Sequence, residues 1–398
     1  MTDPLLLLQQ LIAIPSVNPM GRDLTGPEYF ESRLSDFLFS FFRDLGVPCE
    51  RQEVGADRAN VVARYDGPAA GPTLLFDAHQ DTVPVDGMIL PPFTPEIRDG
   101  RIYGRGACDV KGGMAAMMAA FARLVRERPA GSASVVMSCT CDEEATQQGV
   151  HDLIRRWREA PETTQILPVA PTAAVVAEPT DLDVVVAHRG ASRWKIRTTG
   201  KACHSSDPSR GENAIYKMAR ILTVLEEYAA TLPKRVPEHP LCGPATLSVG
   251  LITGGVSVNT VPAECSIEID RRVVPGEDGL AVIDAVGDYL REHVDVDFEM
   301  LPPWIIGTSL SDEHNGPLSD QVLAAVTEVA GPRRKVGVPY GTHASRFDDV
   351  GVPSVVFGPG SITKAHTVDE WLPIDELHMA TDVLYRLGAT SGEWLGKA

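Results

Sequence analysis

Between residues 73 and about 187, short apolar runs alternate with longer stretches in which apolar residues recur at helical spacing. That alternation predicts a parallel sheet covered by helices on both faces. Strands are expected over 73–78, 134–140 and 173–177, and helices over 112–128 and 150–159. From residue 194 the pattern becomes half-exposed: strands over 194–199, 246–252, 265–270 and 294–301 are interleaved with helices over 212–230 and 277–293. The order β-α-β-β-α-β matches a split ferredoxin-like unit. After Pro302 and Pro303 the first pattern resumes, with a helix over 319–329, a strand over 354–357 and a helix over 374–387. A larger α/β domain in two segments, 1–187 and 303–398, interrupted by an inserted domain over 188–302, is the expected organisation.

Length agrees with this division, because 398 residues exceed one ordinary core. With 43% apolar and 23% charged residues the chain has the composition of a globular protein and not of a disordered one. A net charge of −18 would repel a phosphate backbone, so nucleic acid is not an expected partner. The seven cysteines are odd in number and lack paired CxxC spacing, which suits reduced thiols in a reducing compartment. The apolar run at 5–8 has no basic residues before it and is too short to span a bilayer, so a cytoplasmic protein without a membrane partner is expected.

Acids and histidines cluster at the expected strand ends, where open α/β sheets bind ligands. His79 and Asp81 follow the strand at 73–78. A neutral imidazole that binds a metal through one nitrogen needs a carboxylate or carbonyl on the other, and Asp81 is placed to supply it. Asp109 lies in a Gly-rich turn opening a helix, a position where a lone aspartate is more often an N-cap. Glu143 and Glu144 end the strand at 134–140; an acidic run is usually solvated, yet neighbours leaving a strand point opposite ways, so one can bind metal while the other faces a water. Glu178 follows the strand at 173–177, and His366 follows Gly358-Pro359-Gly360. Together, two imidazoles and three carboxylates make a nitrogen and oxygen donor set with the character of a catalytic metal site. Spacing alone does not assign them to particular ions.

The stretches HQDTVP (79–84), GRGACDVKGG (104–113), DEE (142–144), EPT (178–180), GKACHSS (200–206), GGVSVNTVP (254–262), DRRVVPGE (270–277) and FGPGSITKAH (357–366) resemble the dinuclear zinc peptidase and deacylase family of acetylornithine deacetylase, succinyl-diaminopimelate desuccinylase and glutamate carboxypeptidase. The resemblance covers nearly the whole chain. It implies an α/β fold with a mixed sheet and helices on both faces, interrupted by a ferredoxin-like dimerisation (lid) domain. It implies two Zn2+ per subunit, with Co2+ or Mn2+ as substitutes: His79 and Glu178 on one ion, Glu144 and His366 on the other, Asp109 bridging, and a cis peptide after Asp109. Glu143 is then the general base, Asp81 supports His79, and His204 steadies an oxyanion in the partner subunit of a homodimer. Asn259 and Arg272 match substrate-holding positions, with a structural salt bridge competing for Arg272 and Arg271 able to exchange roles with it. At 340–346, the related enzymes commonly carry an acid where His343 stands; Gly341 and His343 are expected near the substrate, with a packed loop residue as the alternative for His343. The implied activity is hydrolysis of the amide bond of an N-acyl amino acid. A dipeptidase or carboxypeptidase of the same family is the alternative, and a non-catalytic metal-binding scaffold is the alternative from another class.

Overall fold

A computed structural model describes residues 2–395, so the outermost residues of the two flanking segments, 1 and 396–398, lie outside the description. The chain forms two units. The larger comprises the described residues up to Val186, Ser311–Val336, and those from Thr342 on; the smaller comprises Ala187–Leu310 and Gly337–Gly341. The inserted unit therefore runs past Pro302 and Pro303 and takes back a short later segment.

In the larger unit an eight-stranded sheet runs in the order Cys49–Gly55, Arg58–Tyr65, Ser134–Thr140, Thr73–His79, Ala173–Val176, Ser354–Val356, Val184–His188, Lys335–Val338. The four central strands from Ser134–Thr140 to Ser354–Val356 are parallel, while the Arg58–Tyr65 and Val184–His188 neighbours pair antiparallel, so the sheet is mixed. Every residue of Thr73–His79 and Ser134–Thr140 is buried, which is why these strands are mainly apolar on both faces and not alternating. The helix Lys111–Glu127 packs against the sheet with Met114, Met117, Met118 and Phe121 inside the core. Two helices before the first strand, Pro4–Ala13 and Ser32–Asp44, add Leu8, Leu11, Leu38 and Phe42 to the same core.

The smaller unit has a four-stranded antiparallel sheet in the order Thr246–Gly254, Glu264–Val273, Gly190–Thr199, Glu299–Met300. With the helices Ala214–Arg235 and Ala281–His293 between strands, its chain order is β-α-β-β-α-β. The alternating burial of Gly190–Thr199 puts Trp194 and Ile196 into a second core with Ile267 and Ile269. The last strand is only two residues long, not the eight expected over 294–301. Val294, Val296 and Phe298 pack on the core as a loop, so their apolar spacing reflects packing and not pairing. Among the described residues, no helix is long and apolar enough to cross a membrane, and all seven cysteines are free.

Candidate metal centre

Three central strands of the larger unit end in acids or a histidine. His79 is the last residue of its strand, and Glu143 and Glu144 follow Ser134–Thr140 after the left-handed Asp142 (φ 63°). Glu178 follows Ala173–Val176. The Gly358 backbone runs against Glu178, where a Cβ would lie 2.6 Å from the Glu178 carbonyl oxygen, so only glycine fits. His366 is itself left-handed, with φ 59°.

These side chains converge on Asp109. His79 Nε2 lies 3.0 Å from Asp109 Oδ1 and 4.0 Å from Glu178 Oε1. On the other side, His366 Nε2 lies 3.3 Å from both Asp109 Oδ2 and Glu144 Oε1. Two groups of donor atoms result, His79 with Asp109 and Glu178, and Asp109 with Glu144 and His366; within each, all donors lie within 4.8 Å of one another. The Asp109–Val110 peptide is cis.

The electrostatics favour added positive charge. Burial first, and the Asp109 charge second, push the Glu178 carboxyl well up and the Glu144 carboxyl up to about 7. Hydrogen bonds to Asp109 and Glu144 push the His366 imidazole up to about 11. Crowded acids that resist ionisation and an imidazole that keeps its proton mark a pocket short of cations. Borderline nitrogen and oxygen donors in two groups sharing one carboxylate fit a pair of divalent ions with positions left open for water or substrate.

A family model described as peptidase family M20/M25/M40 matches residues 75–389. The chain belongs to this family. It is 32% identical to an acetylornithine deacetylase of Erwinia tasmaniensis over 92% of each chain, and 30% identical to one of Myxococcus xanthus over 89% of this chain and 90% of that one. Among solved structures, an M20 family metallo-carboxypeptidase from Sulfolobus solfataricus aligns with a TM-score of 0.77 at 18% identity, covering 99% of this chain and 100% of the other. A Bacillus subtilis dinuclear metal-binding peptidase of the M20 family aligns at 0.66 and 16% identity, covering 98% of each. This M20 chain is thus a metal-dependent hydrolase of amide or peptide bonds.

The surroundings of the M20 donor cluster are set by residues of two kinds. Asp81 was expected to orient His79, and His79 Nδ1 lies 2.8 Å from the Asp81 main-chain oxygen, against 3.6 Å from its carboxylate. The shorter contact holds the ring. The Asp81 carboxylate instead accepts from the backbone N–H of Glu143 (3.0 Å) and Glu144 (3.1 Å) and from Asn18 Nδ2 (2.8 Å). Burial would raise this carboxyl, but the neighbouring His79 imidazole, with the hydrogen bonds from Asn18 and the Glu143 N–H, holds it well below the usual range.

Sequence reasoning missed Glu370 and Asn18. Glu370 Oε1 accepts from the N–H of Cys108 (2.9 Å) and Asp109 (3.0 Å), and Oε2 accepts from Gly106 N–H (3.0 Å) and Arg105 Nη1 (2.6 Å). Gly106 has φ 81°, and a Cβ there would meet Thr82 at 2.8 Å. Glu370 stands in the polar run after His366, which carries no local mark of burial.

His343 also lies in the larger unit. It is 1% exposed and turned inward, with Nδ1 3.0 Å from Asp77 Oδ2, and its Nε2 has no hydrogen-bond partner among the described residues. The smaller unit carries the remaining candidates. His204 Nδ1 accepts from the Ser206 N–H at 3.1 Å, so a neutral ring carries its proton on exposed Nε2. Asn259 is exposed, and its carbonyl accepts from the Ser205 N–H at 3.0 Å. Arg272 Nε pairs with Asp270 at 2.7 Å and stays partly exposed. Arg271 is buried against Glu277 at 2.6 Å, which removes it as a stand-in for Arg272. Gly341 is exposed in the returning segment Gly337–Gly341.

Proposed function

We propose that this enzyme removes the acyl group from an N-acyl amino acid by water attack on the amide carbonyl, in a cytoplasmic homodimer holding two Zn2+ per subunit, with Co2+ or Mn2+ as substitutes. The observation that carries the reading is the single carboxylate of Asp109 shared between two three-residue donor groups. His79 and Glu178 would hold one ion, Glu144 and His366 the other, and Asp109 both. A zinc pair lowers the pKa of water and polarises a carbonyl. Reduced cysteines fit the proposed compartment.

Glu143 is the proton carrier of the proposal. Its side chain leaves the chain beside Glu144, and its Oε1 accepts from Gln147 Nε2 at 3.2 Å, with the second carboxylate oxygen proposed to face the attacking water. Burial pushes the Glu143 carboxyl up, with the charges of His343 and His79 acting against the rise. A raised carboxyl suits a group that takes a proton from water and returns it to the leaving amine. Asp81 fixes Glu143 and Glu144 together through their N–H groups. His204 Nε2 is proposed to donate to the developing oxyanion in the partner subunit, while Asn259, Arg272 and Gly341 hold the substrate carboxylate and amide; a guanidinium suits a planar carboxylate. His343, with Nδ1 held by Asp77, is proposed as a third imidazole of the site that contacts the substrate.

Relatives about 30% identical across most of the chain favour a deacylase over a peptidase. Turnover of N-acetyl, N-succinyl and N-formyl amino acids, N-acetyl-L-ornithine first, is to be compared with dipeptides. An N-acyl preference is expected, and faster dipeptide cleavage overturns the deacylase reading. Glu143→Ala should keep fold and metal while losing on the order of 10²–10⁴ in turnover.

A further inference from the structure

The Glu143 carboxylate ends a chain of two side chains, Gln147 and behind it Arg346, that the reaction described above leaves without a task. Gln147 Nε2 donates to Glu143 Oε1 at 3.2 Å, and Gln147 Oε1 accepts from Arg346 Nε at 2.8 Å. The direction of this chain is forced. Arginine only donates, so Gln147 must turn its carbonyl oxygen toward Arg346, and its amide N–H groups then face Glu143. Arg346 is 9% exposed on the short helix Ala344–Asp348. Three residues earlier, His343 is pinned to Asp77 on the strand that ends in His79. Gln147 has φ 60°, a left-handed conformation unfavourable for a residue with a Cβ, and its N–H bonds the Asp142 carbonyl at 2.6 Å.

We propose that Gln147, clamped by Arg346, is a positioning residue for the general base: it occupies Oε1 of Glu143 and thereby presents Oε2 to the water and to the leaving amine. A carboxylate free to turn about its last bond would exchange its oxygens and lose the aligned geometry on which proton transfer depends. The inference rests on Glu143 being the base.

The test uses the full-length zinc-loaded enzyme and the N-acyl amino acid turned over fastest in the panel above. The variants are Gln147→Leu, Gln147→Glu, Arg346→Gln and Glu143→Ala, each read by kcat, KM, zinc content and thermal melting. Gln147→Glu keeps an acceptor for Arg346 but turns an oxygen toward Glu143, and Gln147→Leu removes the same N–H without adding a charge beside the base. Gln147→Leu and Gln147→Glu are both expected to lose about tenfold or more in kcat, with KM within about twofold and zinc content unchanged. The Gln147→Leu/Arg346→Gln double variant should be no slower than the slower single one, because both changes cut the same chain. Wild-type kcat in Gln147→Glu, or in Gln147→Leu should the glutamate variant misfold, overturns the positioning role. Where Glu143→Ala itself keeps turnover, the base assignment falls first; where it loses turnover and both Gln147 variants do not, only the positioning role falls.

Discussion

Glu370 holds four donors with one side chain, and all four belong to the loop that delivers Asp109. Converting a carboxylate oxygen to an amide would turn a donor toward donors in a fully buried setting, where each lost charged hydrogen bond costs about 1–3 kcal/mol. Glu370→Gln is therefore expected to weaken metal binding by roughly 10–100-fold, the range for groups that orient ligands, and to lower the melting temperature. Zinc titration against a competing chelator reads the first effect, and unchanged affinity would show that the Asp109 loop keeps its shape unaided. At this scale the sequence was informative where chemistry and spacing coincide. His79, Asp109, Glu144, Glu178 and His366 stand in order at strand ends or after Gly-rich turns, and their donor atoms gather in two groups. Asn18 and Glu370 act across up to 124 and up to 265 positions, and long-range polar contacts leave no periodicity to read. Asp81 shows a subtler gap, since spacing cannot distinguish its carbonyl from its carboxylate as the partner of His79.

Elements fixed by burial on both faces were easiest to foresee, and those fixed by polar contacts were hardest. The helix expected from residue 277 begins at Ala281 because Glu277 pairs with Arg271 and the Val274 N–H. Asp278 then caps the first turn through the N–H groups of Leu280 and Ala281. Polar docking also sets the helix Ser32–Asp44. Ser35 Oγ bonds Gln80 Oε1 at 2.8 Å, and Gln80 Nε2 reaches the carbonyls of Ala59 and Cys139. Glu31, just before this helix, shares Arg58 with Asp142. Burial pushes the Glu31 carboxyl up to about 8, with Asp81 and Asp142 adding to the rise and Arg58 opposing it. Between pH 4.5 and about 8 the folded protein thus holds a proton that the unfolded chain has released, and stability falls as pH rises through that window. Glu31→Gln has no such proton to lose. Denaturant unfolding of the metal-free proteins should show the variant gaining on wild type from the acidic to the alkaline end of the window, and a constant difference would mean that Arg58 keeps Glu31 ionised throughout.

The largest scale concerns what a second copy of the chain contributes. Thr246–Gly254 is the edge strand of the smaller unit, and Leu251 (60%), Ile252 (56%), Val256 (92%) and Val258 (101%) are exposed on it and just beyond. An apolar strand edge is an aggregation hazard unless something covers it, and a second copy would close the contact symmetrically. The pairing proposed above makes His204 of one subunit serve the other subunit's site. A complementation experiment separates this from service within one subunit. His204→Ala and Glu143→Ala each leave a homodimer in which both sites lack one group. Randomly re-paired subunits give half mixed dimers, and in each mixed dimer the site with an intact Glu143 receives an intact His204. Mixing the two inactive variants should then recover up to about a quarter of the wild-type rate. A rate no greater than the sum of the separate variants means that His204 acts within its own chain or not at all. Leu251→Lys with Ile252→Lys places charges on the proposed contact, so it should halve the mass seen by light scattering and abolish the recovery.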